Sequence, residues 1–192
     1  MEKKVIGVTG GLATGKTTVA QMFAAKGAEI VDADEIAHDL LEKDEDIKFK
    51  VVGMFGSDIL IDGKIDRRKL GKKVFRDRTK LNALCGIMHP VIIFRIRELV
   101  KRSPSDVVVV DAPLLIESGL DEFVDKVVVV TADERTQVKR ATDRGMSEEE
   151  AKRIMDCQMA LSEKTRFADY IIDNSTKIKD IKEGVERIWQ ET

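Results

Sequence analysis

Cysteine is scarce in this chain, which has 2 among its 192 residues. Cys85 and Cys157 lie far apart in the sequence and form no CxxC pair. This spacing argues against a disulfide framework and against a zinc site, and it is typical of proteins from a reducing compartment. The sequence therefore predicts two separate core thiols and a cytoplasmic protein.

Long apolar runs and an excess of one charge are absent as well. No stretch approaches the roughly 20 apolar residues of a membrane-spanning helix, so we expect no membrane partner. The 33 basic and 35 acidic side chains leave a net charge of −2. A chain so balanced lacks the positive field that drives binding to nucleic acid, and we expect no nucleic-acid partner either. Its length and its hydrophobic content of 43% predict one domain with at most a small insertion.

The chain does contain a phosphate-binding loop near its N-terminus. Residues 10–17 read GGLATGKT and match the P-loop pattern of two glycines followed by Lys and Thr. The residues before the loop, 5–9, predict a buried strand, and residues 18–23 after it predict an amphipathic helix. This strand, loop and helix order is the context in which the motif binds a nucleoside triphosphate.

The residue types of this loop follow from the chemistry of a polyphosphate. Gly10 and Gly15 leave room for backbone N–H groups to approach the phosphates. Lys16 supplies a positive charge to the β and γ groups, and Thr17 offers a hydroxyl to Mg²⁺. A glycine-rich turn that only caps a helix is the alternative, but it does not explain the Lys and the Thr.

Four further segments predict strands because they are short, apolar and rich in β-branched or aromatic residues. They are residues 28–31, 107–110, 127–130 and 170–172. Continuous apolar strands that alternate with helices indicate a parallel sheet covered on both faces. We therefore predict an α/β protein with a five-stranded parallel sheet in three layers. Capping-box spacing predicts helices that begin near Thr131 and Ser147, and a last helix is expected over 177–189.

Residues 44–100 predict a helical insertion, since their apolar spacing is helical and no strand is evident. Pro90 removes a backbone donor, so we expect the helix to break after His89. A break at this point would direct the imidazole of His89 into a cleft. The other histidine, His38, has no second ligand or nucleophile nearby in the sequence that suggests a metal site or a triad.

Acidic residues follow two of the predicted strands. Asp32 and Asp34 come after the second strand, and Asp111 follows 107–110 in the manner of a Walker B acid that holds Mg²⁺. Ligands of open α/β sheets bind beyond the carboxyl ends of the strands, which favours a functional role for these carboxylates. The alternative is that they only cap a loop or a helix.

Two arginines, Arg140 and Arg144, lie four residues apart on a predicted helix. A pair of guanidinium groups on one face suits the charge that develops on a transferred phosphoryl group. Glu134 and Asp143 lie nearby, so a solvated network of ion pairs is the alternative interpretation.

Together these segments resemble the dephospho-CoA kinase family over nearly the whole chain. The resemblance is carried by residues 9–18, 32–38, 89–90, 113–117, 137–144 and 168–174. It implies transfer of the ATP γ-phosphoryl group to the ribose 3′-hydroxyl of dephospho-CoA, with ATP and Mg²⁺ as cofactors. It also implies a nucleotide-binding core over 1–43, 101–133 and 166–192, a CoA-binding insertion over 44–100 and a lid over 134–165. We expect a monomer or a weak homo-oligomer.

The resemblance also assigns roles to individual residues. Asp34, Lys16 and Arg140 would be catalytic, with Asp34 as the base for the acceptor hydroxyl. The nucleotide would be bound by Gly11, Leu12, Ala13, Thr14, Gly15, Lys16, Thr17, Thr18, Arg140, Arg144 and Asn174. The acceptor would be bound by Asp34, His89, Pro113, Leu114, Leu115 and Glu117, and Mg²⁺ by Thr17 and Asp111.

The loop departs from the family's usual Gly-Gly-Ile-Gly-Ser-Gly-Lys-Ser at four positions, of which Leu12 for Ile is a conservative change. Ala13 and Thr14 replace Gly-Ser, and Thr17 replaces Ser but keeps the hydroxyl. We expect a negative φ at Ala13, where alanine is tolerated. Two other functions stay open on the residues alone: a nucleoside monophosphate kinase, and a GTPase switch. The switch would require an Asn-Lys-x-Asp segment that the sequence lacks.

Overall fold

The computed structural model describes residues 3–175 and 177–192, and they divide into two compact units. The sheet unit comprises the described residues up to Asp32 and from Glu98 onwards, and the helical unit is Ala33–Arg97. Among the described residues, no helix is both long and apolar enough to cross a lipid bilayer.

The sheet unit contains the five parallel strands that the sequence predicts. They are β1 Lys4–Gly10, β2 Glu29–Asp32, β5 Val107–Asp111, β6 Lys126–Thr131 and β7 Tyr170–Asp173, in the spatial order β2-β5-β1-β6-β7. All four pairings are parallel. The α/β prediction with a five-stranded parallel sheet is therefore confirmed. Because parallel strands share one carboxyl edge, the last residues of β1, β2 and β5 lie along the same edge of the sheet.

Helices accompany the strands in the sheet unit, and the first and last of them bury one face of the sheet. The helices are α1 Lys16–Ala24, α6 Glu134–Asp143, α7 Glu148–Cys157, α8 Leu161–Lys164 and α9 Ile178–Gln190. Phe23 of α1 and Ile188 of α9 pack with Ile6 and Val128 of the sheet in one hydrophobic cluster. On the strand β1, side chains alternate between the two faces, and Gly7 faces the opposite side, where Leu115 packs against it.

Helix starts agree with the sequence at one of the two predicted caps. The side chain of Ser147 accepts a hydrogen bond from the Glu150 N–H at 3.1 Å and begins α7, as predicted. Thr131 is not a cap, because it is the last residue of β6. Asp133 caps α6 instead, since its carboxylate accepts the Thr136 N–H at 2.8 Å.

The helical unit has its own core. Its elements are α2 Ala33–Lys43, α3 Glu45–Phe55, β3 Leu60–Ile61, β4 Lys64–Ile65, α4 Arg67–Val74 and the greater part of α5 Arg78–Arg102. Leu40, Val51, Phe55 and Met88 pack with one another in this core. The expectation that no strand occurs here is wrong, because β3 and β4 form a small antiparallel hairpin across the turn at Asp62 and Gly63.

The predicted helix break at Pro90 is also wrong, since α5 continues through it. The carbonyl of Gly86, four residues earlier, loses its usual N–H partner, but Gly86 and Pro90 are both exposed, so water can reach that part of the helix. Met88 and Ile96, before and after Pro90, are both buried. Packing on both sides of the proline therefore holds the helix continuous, and His89 lies within it rather than at its end.

Candidate active site

The phosphate loop of the sheet unit leads from β1 into α1, as the sequence predicts. Gly15 has a φ of +96° and precedes the first residue of α1. A β-carbon at Gly15 would overlap the side-chain amide of Asn174, and one at Gly10 would overlap the backbone carbonyl of Val130. Both positions therefore require glycine, the first for its conformation and its neighbour, the second for the approach of β6.

Ala13 corrects one expectation, because its φ is +54° rather than negative. The residue is buried and packs with Ala141 of α6 and Ala151 of α7, beside Leu12 and Met146. These small side chains leave room for the methyl group and hold the loop in a conformation that alanine alone disfavours. The methyl group of Ala13 thus packs the loop against α6 and α7.

Arg140 and Asn174 hold the outer side of the loop. Arg140 donates to the carbonyls of Ala13 and Thr14 at 3.4 and 3.3 Å and to the carbonyl of Asn174 at 2.9 Å. Asn174 donates its amide to the Thr14 carbonyl at 2.6 Å. Because the C=O and N–H of a peptide point in opposite directions, these bonds turn the N–H groups of Thr14 and Gly15 away from Arg140. The structure therefore brings together two of the residues predicted to bind the nucleotide.

Lys16, Thr17 and Asp111 lie at the carboxyl edge of the sheet. The Lys16 ammonium donates to the Gly11 carbonyl at 3.3 Å. The Thr17 hydroxyl donates to a carboxylate oxygen of Asp111 at 3.3 Å, and Asp111 is buried. Asp32 is the register partner of Asp111 on the neighbouring strand. The Lys16 ammonium and the Thr17–Asp111 hydrogen-bonded pair thus lie at one edge of the sheet.

This donor set fits Mg²⁺. The ion prefers hard oxygen ligands and is commonly held by one or two protein groups together with phosphate oxygens and water. The Thr17 hydroxyl and the Asp111 carboxylate are such groups, and they are already in contact. Within residues 3–175 and 177–192, no three His, Cys, Asp or Glu side chains form a metal-binding group of their own.

The loop after β5 was predicted to bind the acceptor, and its residues differ in exposure. Pro113, Leu114 and Glu117 are half-buried, whereas Leu115 is fully buried and packs against Gly7 of β1. Leu115 is therefore a core residue and offers no surface to a ligand.

A buried lysine that the sequence analysis missed holds this loop. Lys164 has no exposed surface and donates to the Pro113 carbonyl at 2.5 Å and to the Glu117 carboxylate at 2.9 Å. Thr9 at the end of β1 donates its hydroxyl to the same carbonyl at 3.1 Å. Burial lowers the pKa of Lys164, the Glu117 carboxylate opposes that shift, and the charge of Lys16 adds to it.

The remaining predicted residues lie elsewhere in the described chain. Arg144 is the residue directly after the end of α6, and it is exposed. Thr18 is exposed on the first turn of α1. Asp34 and His89 belong to the helical unit, Asp34 in the first turn of α2 and His89 within α5. A carboxylate in a helix's first turn is favoured by the helix dipole.

A polar cluster in the helical unit extends along α2 from Asp34. His38 and Glu42 follow at intervals of four residues and so share its face. Arg67, the first residue of α4, lies 3.0 Å from Nδ1 of His38, and His38 Nε2 lies 3.5 Å from Glu42. Because a guanidinium only donates, this contact requires an unprotonated Nδ1. A hydrogen bond from Lys64 is the main cause that lowers the pKa of Glu42.

Comparison with known proteins gives consistent matches over nearly the full chain. The family model described as CoaE, dephospho-CoA kinase, matches residues 4–180. A dephospho-CoA kinase of Fusobacterium nucleatum is 40% identical over 99% of both chains. One from Carboxydothermus hydrogenoformans is 43% identical over 97% of this chain and 93% of its own. The solved dephospho-CoA kinase of Campylobacter jejuni is 30% identical, with a TM-score of 0.68 over 98% of this chain and 96% of its own.

Proposed function

The chain belongs to the dephospho-CoA kinase family, and from this premise we propose that it transfers the ATP γ-phosphoryl group to the ribose 3′-hydroxyl of dephospho-CoA. The observation that carries the proposal is the phosphate loop at the carboxyl edge of the sheet. This loop contains Lys16 and Thr17, and the Thr17 hydroxyl is bonded to Asp111. The family does not favour a nucleoside monophosphate kinase or a GTPase switch.

The donor half of the reaction uses the sheet unit. The loop N–H groups and the dipole of α1 bind the phosphates, and the Lys16 ammonium leaves the Gly11 carbonyl for the β and γ oxygens. Arg140 supports the loop from its carbonyl side and contributes positive charge. Phosphoryl transfer passes through a loose transition state, so these fixed charges contribute more than proton removal.

Thr17 and Asp111 are the residues that would hold Mg²⁺. The ion would neutralise charge on the β and γ phosphates and align them. Asp111 is buried, and the hydrogen bond from the Thr17 hydroxyl orients its carboxylate.

The acceptor half is assigned to Asp34, His89 and the partly exposed residues Pro113, Leu114 and Glu117. The acceptor's 3′-oxygen forms the new bond to phosphorus while the bond to the β–γ bridging oxygen breaks and ADP leaves with its electron pair. The hydroxyl proton passes to the Asp34 carboxylate late in the reaction.

The chain's organisation follows the same assignment. The insertion over 44–100 would bind the CoA portion, the segment 134–165 would close as a lid, and Arg144 would reach the triphosphate on closure. The two separate cysteines support a cytoplasmic enzyme. We propose that it is a monomer or a weak homo-oligomer.

An ADP-release assay with different acceptors tests the function. With ATP and Mg²⁺, we expect dephospho-CoA to give sustained turnover and CMP, UMP and AMP to give only the rate without acceptor. Mass spectrometry and phosphorus NMR should find one new phosphate monoester on the ribose 3′-oxygen. Turnover with CMP or AMP in place of dephospho-CoA would contradict the assignment.

A further inference from the structure

Residues 158–164, which comprise the connection after α7 and the short helix α8, contact two loops of the sheet unit at once. We call this stretch the 158–164 segment. At its start, the side-chain oxygen of Gln158 accepts the N–H of Leu12 in the phosphate loop at 3.0 Å. Leu161 lies beside the same loop, since a β-carbon on Gly11 would be 3.5 Å from its side chain. One end of the segment is therefore bonded to the nucleotide loop.

The other end of the segment is bonded to the loop after β5. The N–H of Met159 donates to Glu117 at 3.0 Å, and the Lys164 ammonium donates to Glu117 and to the Pro113 carbonyl. The Thr9 hydroxyl donates to that carbonyl too, so the network returns to the strand that leads into the phosphate loop. A closed path of hydrogen bonds thus joins the two loops through the segment.

We propose that Gln158, Glu117 and Lys164 are positioning residues that hold the phosphate loop and the 113–117 loop in one fixed arrangement through the 158–164 segment. The proposal rests on the proposed function only for the identity of ATP as the nucleotide. Stability alone does not account for the network, because a buried ion pair can commonly be replaced by apolar side chains without loss of stability. The three donors of Lys164 instead select a single geometry for Pro113 and Glu117.

An alternative explanation is that these side chains affect ATP binding only through their charge. The sign of the change in ATP affinity distinguishes this explanation from the positioning role. The positive charge of Lys16 is close enough to lower the pKa of Lys164. Loss of the positive charge of Lys164 would therefore weaken ATP binding directly. Glu117 gives the opposite sign: removal of its negative charge should tighten ATP binding if charge alone acts, and should weaken it if position acts.

The test measures binding of the ATP analogue AMP-PNP with Mg²⁺ by calorimetry, without any acceptor. We expect Glu117→Gln and Gln158→Ala each to raise Kd about three- to tenfold, the effect of losing one hydrogen bond that orders the loop. Because the two act through one segment, the double variant should be weaker than wild type by less than the product of the single effects. Lys152→Met, which removes the exposed partner of Glu148 on α7, is the matched control and should bind as wild type does.

Unchanged or tighter binding by Glu117→Gln would overturn the proposal, as would independent effects in the double variant. If a variant fails to fold, hydrogen exchange of the wild-type protein provides a second test. Its Leu12 and Met159 amides, both bonded to the network, should show hydrogen-exchange protection that rises together with AMP-PNP. Unequal responses would also overturn it. Failure of dephospho-CoA as acceptor would contradict the proposed function and leave these binding results intact.

Discussion

At the scale of single residues, Ala13 combines a left-handed backbone with a buried methyl group. The sequence identifies the position as unusual, but it does not reveal the φ angle, because that depends on how the loop packs against α6 and α7. The strain of this conformation is about 1–2 kcal/mol for a residue with a β-carbon. The packing of the methyl group offsets part of it.

Replacement of Ala13 tests this balance. Ala13→Gly removes the strain, but it loses about 0.8 kcal/mol of methyl burial and gives the unfolded chain about 0.4–1 kcal/mol of extra entropy. We expect a free energy of unfolding within about 0.5 kcal/mol of wild type in urea titrations. Ala13→Val should destabilise by about 2–3 kcal/mol, because a branched residue disfavours this φ and crowds Ala141 and Ala151. A large loss with glycine would show that the methyl contacts dominate.

Lys16 was predicted from the motif alone, and its substitution tests the donor site. Lys16→Ala should lower kcat about 10²–10³-fold, because it removes a fixed charge from the transferred phosphoryl group. Asp34→Asn should cost less, since proton removal comes late in a loose transition state. Steady-state ADP release measures both, with Lys139→Ala, an exposed lysine of α6, as the control. Equal kcat for Lys16→Ala and wild type would contradict the role.

Lys164 gives a stability prediction with a definite sign. Burial lowers its pKa in the folded protein below the ordinary 10.5, so between the two values the unfolded chain binds a proton that the folded chain does not. Stability contributed by this residue should therefore rise with pH across that window. Urea unfolding measures the free energy of unfolding between pH 7 and 10.5. Over this range the value for wild type should increase relative to that for Lys164→Arg, because the arginine side chain stays charged. A difference that stays constant or shrinks would contradict the lowered pKa.

No sequence pattern indicates that Lys164 is buried. The segment 161–164 reads Leu-Ser-Glu-Lys, which is typical of an exposed helical turn, and only the fold places its ammonium beside Pro113 and Glu117. The same holds for Gln158, whose partner Leu12 lies 146 residues away. Motifs predict groups that act together within one stretch of chain, but contacts between distant segments depend on packing.

At the scale of elements, strands were more predictable than helix boundaries. Val107–Asp111 and Lys126–Thr131 are continuous valine runs that suit a buried parallel sheet, and both were placed within one residue of each end. The hairpin of β3 and β4 was missed because each strand has only two residues, too few for an alternating pattern. The break at Pro90 was wrong because tertiary packing outweighed a local preference.

Pro90 therefore carries a cost that packing offsets, and Pro90→Ala should reveal it. Alanine restores the N–H that the Gly86 carbonyl lacks and removes the clash of the ring with the preceding turn. We expect a gain of about 1–2 kcal/mol in the free energy of unfolding, less than the full penalty of a helical proline because the unfolded chain gains freedom. Urea titration followed by circular dichroism measures it. A loss of stability would show that the fold requires the local bend of a proline.

At the scale of the whole molecule, the boundary between the units falls at Ala33, whereas the predicted insertion began at residue 44. The reason is α2, which follows β2 without a connection and packs Leu40 into the core of the helical unit. An amphipathic pattern in a sequence does not say which core the apolar face of the helix joins. The functional division into acceptor-binding and lid segments stays a prediction.

Ligand-dependent hydrogen exchange tests that division. AMP-PNP should slow exchange at 10–17 and across the predicted lid, 134–165, whereas dephospho-CoA should slow it in Ala33–Arg97. A ligand at about 100 times its Kd stabilises the region it binds by up to about 2.7 kcal/mol, which is about 100-fold in exchange rate. CMP at equal concentration is the control for the acceptor. Protection of the helical unit by AMP-PNP alone would contradict the assignment.

The strand order also sets the sequence of events during synthesis. Both neighbours of β1 in the sheet, β5 and β6, are made about a hundred residues after it. The whole of Ala33–Arg97 leaves the ribosome before β1 has either partner. The apolar strand β1, which precedes the phosphate loop, therefore stays unpaired at least until Asp111 has been translated. In a destabilised variant that interval is when the chain is most exposed to aggregation.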